Sequence, residues 1–229
     1  MLSATDTISL AGWRRSVAEM YAEVRSSDDP ALAWYTFVDG RNNLFKEHTQ
    51  TPLNAQHRAG FKGLPYFAYD QNLRTMGRIN YNVEPEIFRV ELQDDGLLQY
   101  QRVATVHFRF DTRPLQLSLF WIMGYGGGLF LPFKDGTSGC QTFGGGRYLY
   151  DTIKGADLGA YWETITLDFN FAYNPSCAYN ARYSCPLTPP ENYLPQEIRA
   201  GEKNWKPEIE PGGTFESCRA FELVYDATD

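Results

Sequence analysis

Residues 98–123 read LQYQRVATVHFRFDTRPLQLSLFWIM, and this stretch decides the fold class. In its first half, apolar side chains recur at about every second position: Tyr100, Val103, Val106, Phe108 and Phe110. This is the period of a pleated strand with one buried face. Turn-forming residues follow from Arg109 to Pro114, and a second apolar run begins at Gln116. We therefore expect two adjacent strands, at 98–110 and 116–123.

Working outward, shorter apolar runs predict more strands on both sides of this pair, at 73–80, 86–92, 129–133, 148–152, 164–171 and 220–225. Gln93-Asp94-Asp95-Gly96 is a turn signal between two of the runs. The strands follow one another without helix-length connections. The pattern predicts a mainly β (α+β) protein built on an antiparallel β-barrel or β-sandwich of about seven to nine strands.

The first 48 residues have a helical period instead. In a helix expected at 8–24, one apolar stripe is formed by Leu10, Trp13, Val17, Met20, Tyr21 and Val24. A second helix should begin near Pro30, after the capping residues Asp28 and Asp29. We expect its apolar residues to be Leu32, Tyr35 and Val38, and we expect Asp39-Gly40 to break it.

The remaining segments are irregular. Residues 48–65 lack a period and predict a long ordered loop, whereas 174–195 holds five prolines. We interpret 1–229 as a single domain, with a helical part at 1–48 and a β part at 61–229. A proline-rich C-terminal wrap over 174–215 belongs to the β part.

Charge and composition exclude several classes of partner. The net charge is −7 and the isoelectric point about 5.0, so a general nucleic-acid-binding surface is disfavoured. No signal peptide is evident, and no apolar run reaches the roughly 18 residues of a membrane span. We therefore expect a soluble, cytoplasmic protein with reduced cysteines and no membrane partner. The oligomeric state stays open.

Three segments carry distinctive motifs: PFKDGTSGCQTFGGGRYLY at 132–150, TLDFNFAYNPSCAYNARYSCPLTPPENYLP at 166–195 and IRAGEK at 198–203. The order of these motifs resembles the bacterial and archaeal domain-of-unknown-function family number sixteen-eighty-four. The upstream segment FKGLPYFAYDQNLR at 61–74 is also similar to that family. The resemblance implies no activity, so candidate chemistry must come from the residue types.

Arg147 follows three glycines and precedes Tyr148. A guanidinium on such a backbone could bind a carboxylate or a phosphate in a two-pronged contact. Alternatively, Arg147 pairs with an internal acid such as Asp168 and stabilises the sheet. The glycines do not form a phosphate loop, because the lysine of that motif is missing.

Asp168 and Asn170 are two positions apart in a predicted strand, so both should lie on one face. We expect Arg147 and Glu191 to be their partners, at the mouth of a barrel. Glu191 follows two prolines that would hold it in place. The alternative is a solvated outer face for Asp168 and Asn170, and a strand-capping role for Glu191.

Metal and cofactor signals are weak. Cys177 and Cys185 are eight positions apart, with no C-x-x-C motif and no nearby histidine, so we expect no metal and assign no cofactor. Asp135, Thr137 and Ser138 lie in a turn sequence that either bonds to its own backbone or faces a ligand.

Three functional hypotheses remain. The first is a small-molecule-binding protein or enzyme, with a polar or anionic ligand held by Arg147, Tyr148, Asp168, Asn170 and Glu191. The second is a non-catalytic structural or interaction module in which the same residues form an internal network. The third is a redox-sensitive protein that uses Cys177 and Cys185.

Overall fold

The computed structural model describes residues 3–92, 96–110 and 112–206. The helices are α1 (Ala4–Ser26), α2 (Pro30–Glu47) and the short α3 (Ala55–Ala59). The strands are β1 (Arg74–Asn80), β2 (Ile87–Leu92), β3 (Gly96–Phe110), β4 (Arg113–Ile122), β5 (Gly128–Asp135), β6 (Arg147–Asp151), β7 (Thr164–Asp168) and β8 (Tyr193–Leu194).

The strands form one sheet in the order β6-β5-β4-β3-β1-β7, with β2 beside β3 and β8 beside β5. All pairs are antiparallel except β5 with the two-residue β8. The sheet curls into a half-barrel, and the helices precede it in the chain. The expectation of a mainly β, antiparallel fold with N-terminal helices is confirmed.

Strand β3 organises the sheet because its fifteen residues pair with three neighbours. The register against β4 shifts between Arg102 and Ala104, so Val103 is the extra residue of a bulge. Tyr100, before the bulge, belongs to an aromatic cluster with Phe120, Phe130 and Tyr148. After the bulge, the inward-facing side chains of β3 belong to the main core, and they are Ala104, Val106 and Phe108. The bulge therefore lies where the strand passes from one cluster to the other.

The helical pair packs on the main core through one stripe from each helix. Val17 and Tyr21 of α1 are buried, as the sequence predicts. The apolar face expected for α2 is wrong, since Leu32 and Tyr35 are 61% and 60% exposed. The buried stripe is Trp34, Phe37, Arg41 and Phe45, and it includes an arginine.

The expected break at Asp39-Gly40 is also wrong, because α2 continues through it to Glu47. A β-carbon on Gly40 would lie 2.9 Å from the sulfur of Met20 in α1. The glycine therefore serves close helix packing rather than a turn. Gly155 acts similarly, since its φ is +89° and a β-carbon there would lie 2.8 Å from the backbone nitrogen of Ala18. The turn at 152–155 is thereby held against α1.

One predicted strand is longer than the observed one, and another lies outside the described residues. The strand predicted at 164–171 ends at Asp168, where Phe169–Phe171 forms a 3₁₀ turn. The predicted strand at 220–225, the turn at 93–95 and the end of the wrap at 207–215 lie outside the described residues. Among the described residues, no helix combines the length and apolar character needed to cross a membrane.

Candidate ligand site between the helices and the sheet

A cavity of about 50 Å³ lies where α1 and α2 meet the turn after β6 and the start of the proline-rich segment. We call it the helix–sheet cavity. Its walls include Trp13, Val17, Tyr21, Arg41, Phe45, Tyr148, Lys154, Tyr173, Asn174, Ser176 and Tyr179. A buried water molecule needs a cavity volume of at least about 10–15 Å³. The helix–sheet cavity therefore has room for a few waters or a small solute.

Arg41 is the buried cation of the cavity. Its Nη2 donates to Glu202 at 3.2 Å and to the hydroxyl of Tyr179 at 3.3 Å. Burial opposes its charge, but Glu202 raises the pKa of Arg41 well above its ordinary value. The guanidinium carbon lies 4.8 Å and 4.9 Å from the ring centres of Phe45 and Tyr173. Its Nε has no hydrogen-bond partner among the described residues.

Glu202 is a fully buried acid that hydrogen-bonds to three residues of the cavity wall. One carboxylate oxygen accepts the hydroxyl of Tyr179, and the other accepts the backbone N–H of Asn174 at 3.1 Å. The side-chain amide of Asn174 donates to the carbonyl of Lys203 at 2.8 Å. Its Oδ1 is buried and finds no donor within the described part of the chain.

Tyr21 completes the set from α1. It is 1% exposed, and its hydroxyl also has no partner in the described ranges. Burial raises the pKa of Tyr21 far above neutrality, so the group stays a neutral hydroxyl that can donate and accept. A buried polar group without a partner costs about 1–3 kcal/mol.

Lys154 lies at the rim. Its ammonium is 3.3 Å from a carboxylate oxygen of Asp151, which raises the pKa of Lys154, and its side chain is about half exposed. Tyr148 contributes its ring to the wall, while its hydroxyl donates to the carbonyl of Pro186. The site therefore offers donors from Arg41, Tyr21 and Lys154 and one acceptor from Asn174.

A larger cavity of about 170 Å³ lies between α3 and Trp205. Its lysines, Lys62 and Lys206, are exposed to water. Within the described part of the chain, one residue that lines it, His57, carries a buried polar atom without a partner, whereas three residues of the helix–sheet cavity do. We therefore take the smaller cavity as the candidate site.

Arg147 is placed away from solvent, with 0% exposure. Its ion-pair partner is Asp135 at 3.3 Å, so the expected pairing with Asp168 is wrong. The guanidinium also donates to three carbonyls of one C-terminal segment: those of Ile198, Ala200 and Glu202. Asp135 accepts the backbone N–H of Ile198 at 2.6 Å, and Thr137 bonds to the same carboxylate. Arg147 and Asp135 thus join β5 and β6 to residues 198–202.

Asp168 and Asn170 do lie together, but not as neighbours on one strand face. Asp168 ends β7 and accepts the backbone N–H and the side-chain amide of Asn170, at 3.1 and 2.8 Å. Its charged partner is Arg74 at 3.5 Å. Burial raises the pKa of Asp168 to about 6. Asn170 exchanges two hydrogen bonds with the backbone of Asp70, both at 2.9 Å.

Glu191 is placed elsewhere again. It accepts two hydrogen bonds from Arg102, at 3.1 and 2.6 Å, and Arg102 also binds Glu86. The expected partnership of Glu191 with Asp168 and Asn170 is therefore wrong. Of the five predicted site residues, Tyr148 alone lines the helix–sheet cavity.

Sequence reasoning missed Arg41, Glu202, Asn174 and Tyr21 as a group. A signal existed for three of them: Asn174 and Glu202 lie in the motif segments, and Arg41 occupies an apolar stripe position of α2. Tyr21 looks like an ordinary core residue. In the described ranges, no cluster of three or more His, Cys, Asp or Glu side chains is arranged to hold a metal ion.

The comparisons with known proteins agree with the motifs. The family model described as "Protein of unknown function (DUF1684)" matches residues 59–203. A solution NMR structure of the uncharacterized protein from gene locus rrnAC0354 of Haloarcula marismortui is 36% identical to this chain. The match covers 77% of this chain and 97% of that chain, with a TM-score of 0.56. No curated protein matches significantly. The family model spans most of the sheet, the proline-rich segment and Glu202. The chain therefore belongs to this family of unknown function.

Proposed function

We propose that this protein binds a small polar molecule carrying a carboxylate in the helix–sheet cavity. One observation carries the proposal: three residues that line the cavity, Tyr21, Arg41 and Asn174, each carry a buried polar atom that has no hydrogen-bond partner in the described chain. Buried polar groups normally have hydrogen-bond partners. A solute that bonds to all three atoms would remove the free-energy penalty of leaving them without partners.

The chemistry of the three atoms selects the ligand class. Nε of Arg41 is a donor and carries positive charge, which suits a carboxylate oxygen. Oδ1 of Asn174 is an acceptor, so the ligand should also present a hydroxyl or another donor. A molecule of about two or three carbons with a carboxylate and a hydroxyl, such as glycolate or lactate, meets these requirements within the available volume. Tyr148 and Tyr173 would contact its carbon atoms.

A second candidate function, a non-catalytic structural or interaction module, is favoured by a different observation. The guanidinium of Arg147 is buried and bonded to Asp135 and to residues 198–202. On this proposal the polar residues act only within the chain. The two proposals differ in what a ligand titration should show.

We expect Tyr21→Phe to weaken glycolate binding by about fivefold, because it removes one hydrogen bond of about 1 kcal/mol. The same change should leave the unfolding free energy equal to or slightly above that of the wild type, since it deletes a hydroxyl that has no partner within the chain. Isothermal titration calorimetry with glycolate, and with glycolamide as the neutral comparison, measures the first effect. Urea unfolding measures the second.

Tyr35→Phe is the matched control, because Tyr35 lies on α2 and is 60% exposed. It should change neither quantity. If neither glycolate nor lactate binds to the wild type at millimolar concentration, the carboxylate proposal is wrong and the structural module is favoured. Equal binding by the wild type and Tyr21→Phe would place the ligand outside this cavity.

A further inference from the structure

Cys177 and Cys185 lie beside each other in the proline-rich segment, next to the wall of the helix–sheet cavity. Cys177 belongs to the 3₁₀ turn Ser176–Ala178, and both cysteines are reduced in the structure. The sulfur of Cys185 accepts the backbone N–H of Cys177 at 3.4 Å. The side chains of Cys177 and Cys185 also hydrogen-bond to each other.

The surroundings favour the thiolate form of Cys185. The hydrogen bond from Cys177 lowers the pKa of Cys185 to about 7, with help from backbone N–H groups and from the ammonium of Lys154, and against the effect of burial. The thiolate is therefore a larger share of Cys185 at neutral pH than of an ordinary cysteine. The thiolate is the nucleophilic form of cysteine.

The two cysteines differ in their exposure to solvent. Cys185 is partly exposed, whereas Cys177 is only 9% exposed. Cys185 is therefore the more accessible residue of the two, and Cys177 is its hydrogen-bonded neighbour. A partly exposed cysteine with a second thiol beside it is typical of a reacting cysteine with a resolving partner.

We propose that Cys185 and Cys177 form a redox-reactive pair in which Cys185 reacts with a hydroperoxide and Cys177 then closes a reversible disulfide. In the first step the Cys185 thiolate attacks one oxygen of the peroxide. A sulfur–oxygen bond forms, the oxygen–oxygen bond breaks, and the alkoxide or hydroxide that leaves takes up a proton. Cys185 is oxidised by two electrons to a sulfenic acid, and the peroxide is reduced.

In the second step the sulfur of Cys177 attacks the sulfur of Cys185. The sulfur–sulfur bond forms and the sulfur–oxygen bond breaks, and the departing hydroxide combines with the Cys177 proton as water. The balance is two thiols and one hydroperoxide giving one disulfide, one alcohol and one water, where hydrogen peroxide gives water in place of the alcohol. A dithiol reductant reverses the change.

The test uses the full chain carrying Cys140→Ser and Cys218→Ser, which leaves only this pair of thiols. Equimolar hydrogen peroxide should remove both thiols, and dithiothreitol should restore them. Arg182 lies between the two cysteines, so trypsin separates them, and the disulfide links peptides 155–182 and 183–199. Mass spectrometry should find the linked pair 2 Da below the sum of the two reduced peptides, as expected for loss of two hydrogens.

Two single changes assign the roles. With Cys177→Ser, Cys185 should stop at the sulfenic acid, which dimedone captures. With Cys185→Ser, no linked peptide can form and peroxide consumption should be lost. Lys154→Met should move the midpoint of the rate–pH profile upward from about 7, because the nearby positive charge is gone.

Wild-type peptide mapping under the same conditions decides the question if a serine variant fails to fold. The linked peptide should then appear before Cys140 is modified, although Cys140 is exposed. Oxidation of Cys140 with Cys177 and Cys185 still reduced would overturn the proposal. So would a midpoint for Cys185 above pH 8.

Discussion

Arg147→Met is expected to lower the free energy of unfolding by about 3–5 kcal/mol, the cost of breaking a fully buried ion pair from one side. Methionine can fill much of the space, so the loss is mainly electrostatic. Asp135 keeps its bonds to Thr137 and Ile198 but loses the one charged partner that it has among the described residues. Urea unfolding followed by tryptophan fluorescence measures the change.

Three backbone carbonyls make the loss larger than that of a simple pair. Those of Ile198, Ala200 and Glu202 accept from the guanidinium and would lose their donor together. Arg89→Met is the matched control, since Arg89 is an exposed arginine in a strand, and it should change stability by no more than about 0.5 kcal/mol. A loss below about 1 kcal/mol for Arg147→Met would mean that these contacts do not contribute to folding.

A double-mutant cycle identifies the partner. Arg147→Met and Asp135→Asn should be strongly coupled, by about 1–3 kcal/mol, because the two side chains are in contact. Arg147→Met and Asp168→Asn should be closer to additive, because no hydrogen bond or ion pair joins those residues in the described part of the chain. The opposite order would restore the pairing that the sequence suggested.

The sheet could be predicted from the sequence because each strand carries its own evidence. Strand β3 alternates apolar and polar side chains along its length, and turn residues mark its C-terminal end. The helical pair was also predictable in position, since Asp29 and Pro30 form a local start signal. These patterns depend only on residues close together in the sequence. The repeat of a strand or a helix therefore predicts the element directly from them.

The candidate site could not be predicted in the same way because its members come from five distant segments. They meet only when α1 and α2 pack on the sheet and residues 198–202 are bonded to Arg147, and they are Tyr21, Arg41, Lys154, Asn174 and Glu202. The partner of a buried ion can be identified only from spatial proximity, and the residue types in a sequence do not show which side chains are close together. The acids available to Arg147 are chemically alike in the sequence, and the backbone path alone selects Asp135. The two errors in α2, a misplaced apolar face and a glycine interpreted as a break, are also the reason that Arg41 was not predicted as a buried residue.

Asp168→Asn is expected to stabilise the protein at pH 8 by about 2–3 kcal/mol and to leave its stability nearly unchanged at pH 4. Burial raises the pKa of Asp168 in the folded protein to about 6, compared with 3.8 for the ordinary group. Each tenfold change in proton affinity corresponds to about 1.4 kcal/mol. Asparagine retains the oxygen that accepts from Asn170 and carries no charge to desolvate.

The sign follows from which state holds the proton. Between pH 4 and pH 6 the folded protein keeps a proton on Asp168 that the unfolded chain has released. Raising the pH through this window therefore removes stability from the wild type, and the loss is complete above about pH 6. The variant lacks this group, so the difference between the two proteins should grow over the same window and then level off. The lost contact with Arg74 is small, because that arginine is half exposed and 3.5 Å away.

Urea unfolding of both proteins at pH 4, 5, 6, 7 and 8 gives the difference directly. Asp39→Asn is the control, since Asp39 lies on the exposed side of α2, and its difference from the wild type should stay within about 0.5 kcal/mol at every pH. A difference for Asp168→Asn that is the same at pH 4 and pH 8 would show that burial does not raise this pKa. A gain that grows between pH 4 and pH 6 and then stays constant has a further meaning. The wild-type residue would then reduce stability at neutral pH, as expected of a side chain retained for a role other than folding, and Asp168 would become the next position to vary in ligand titrations.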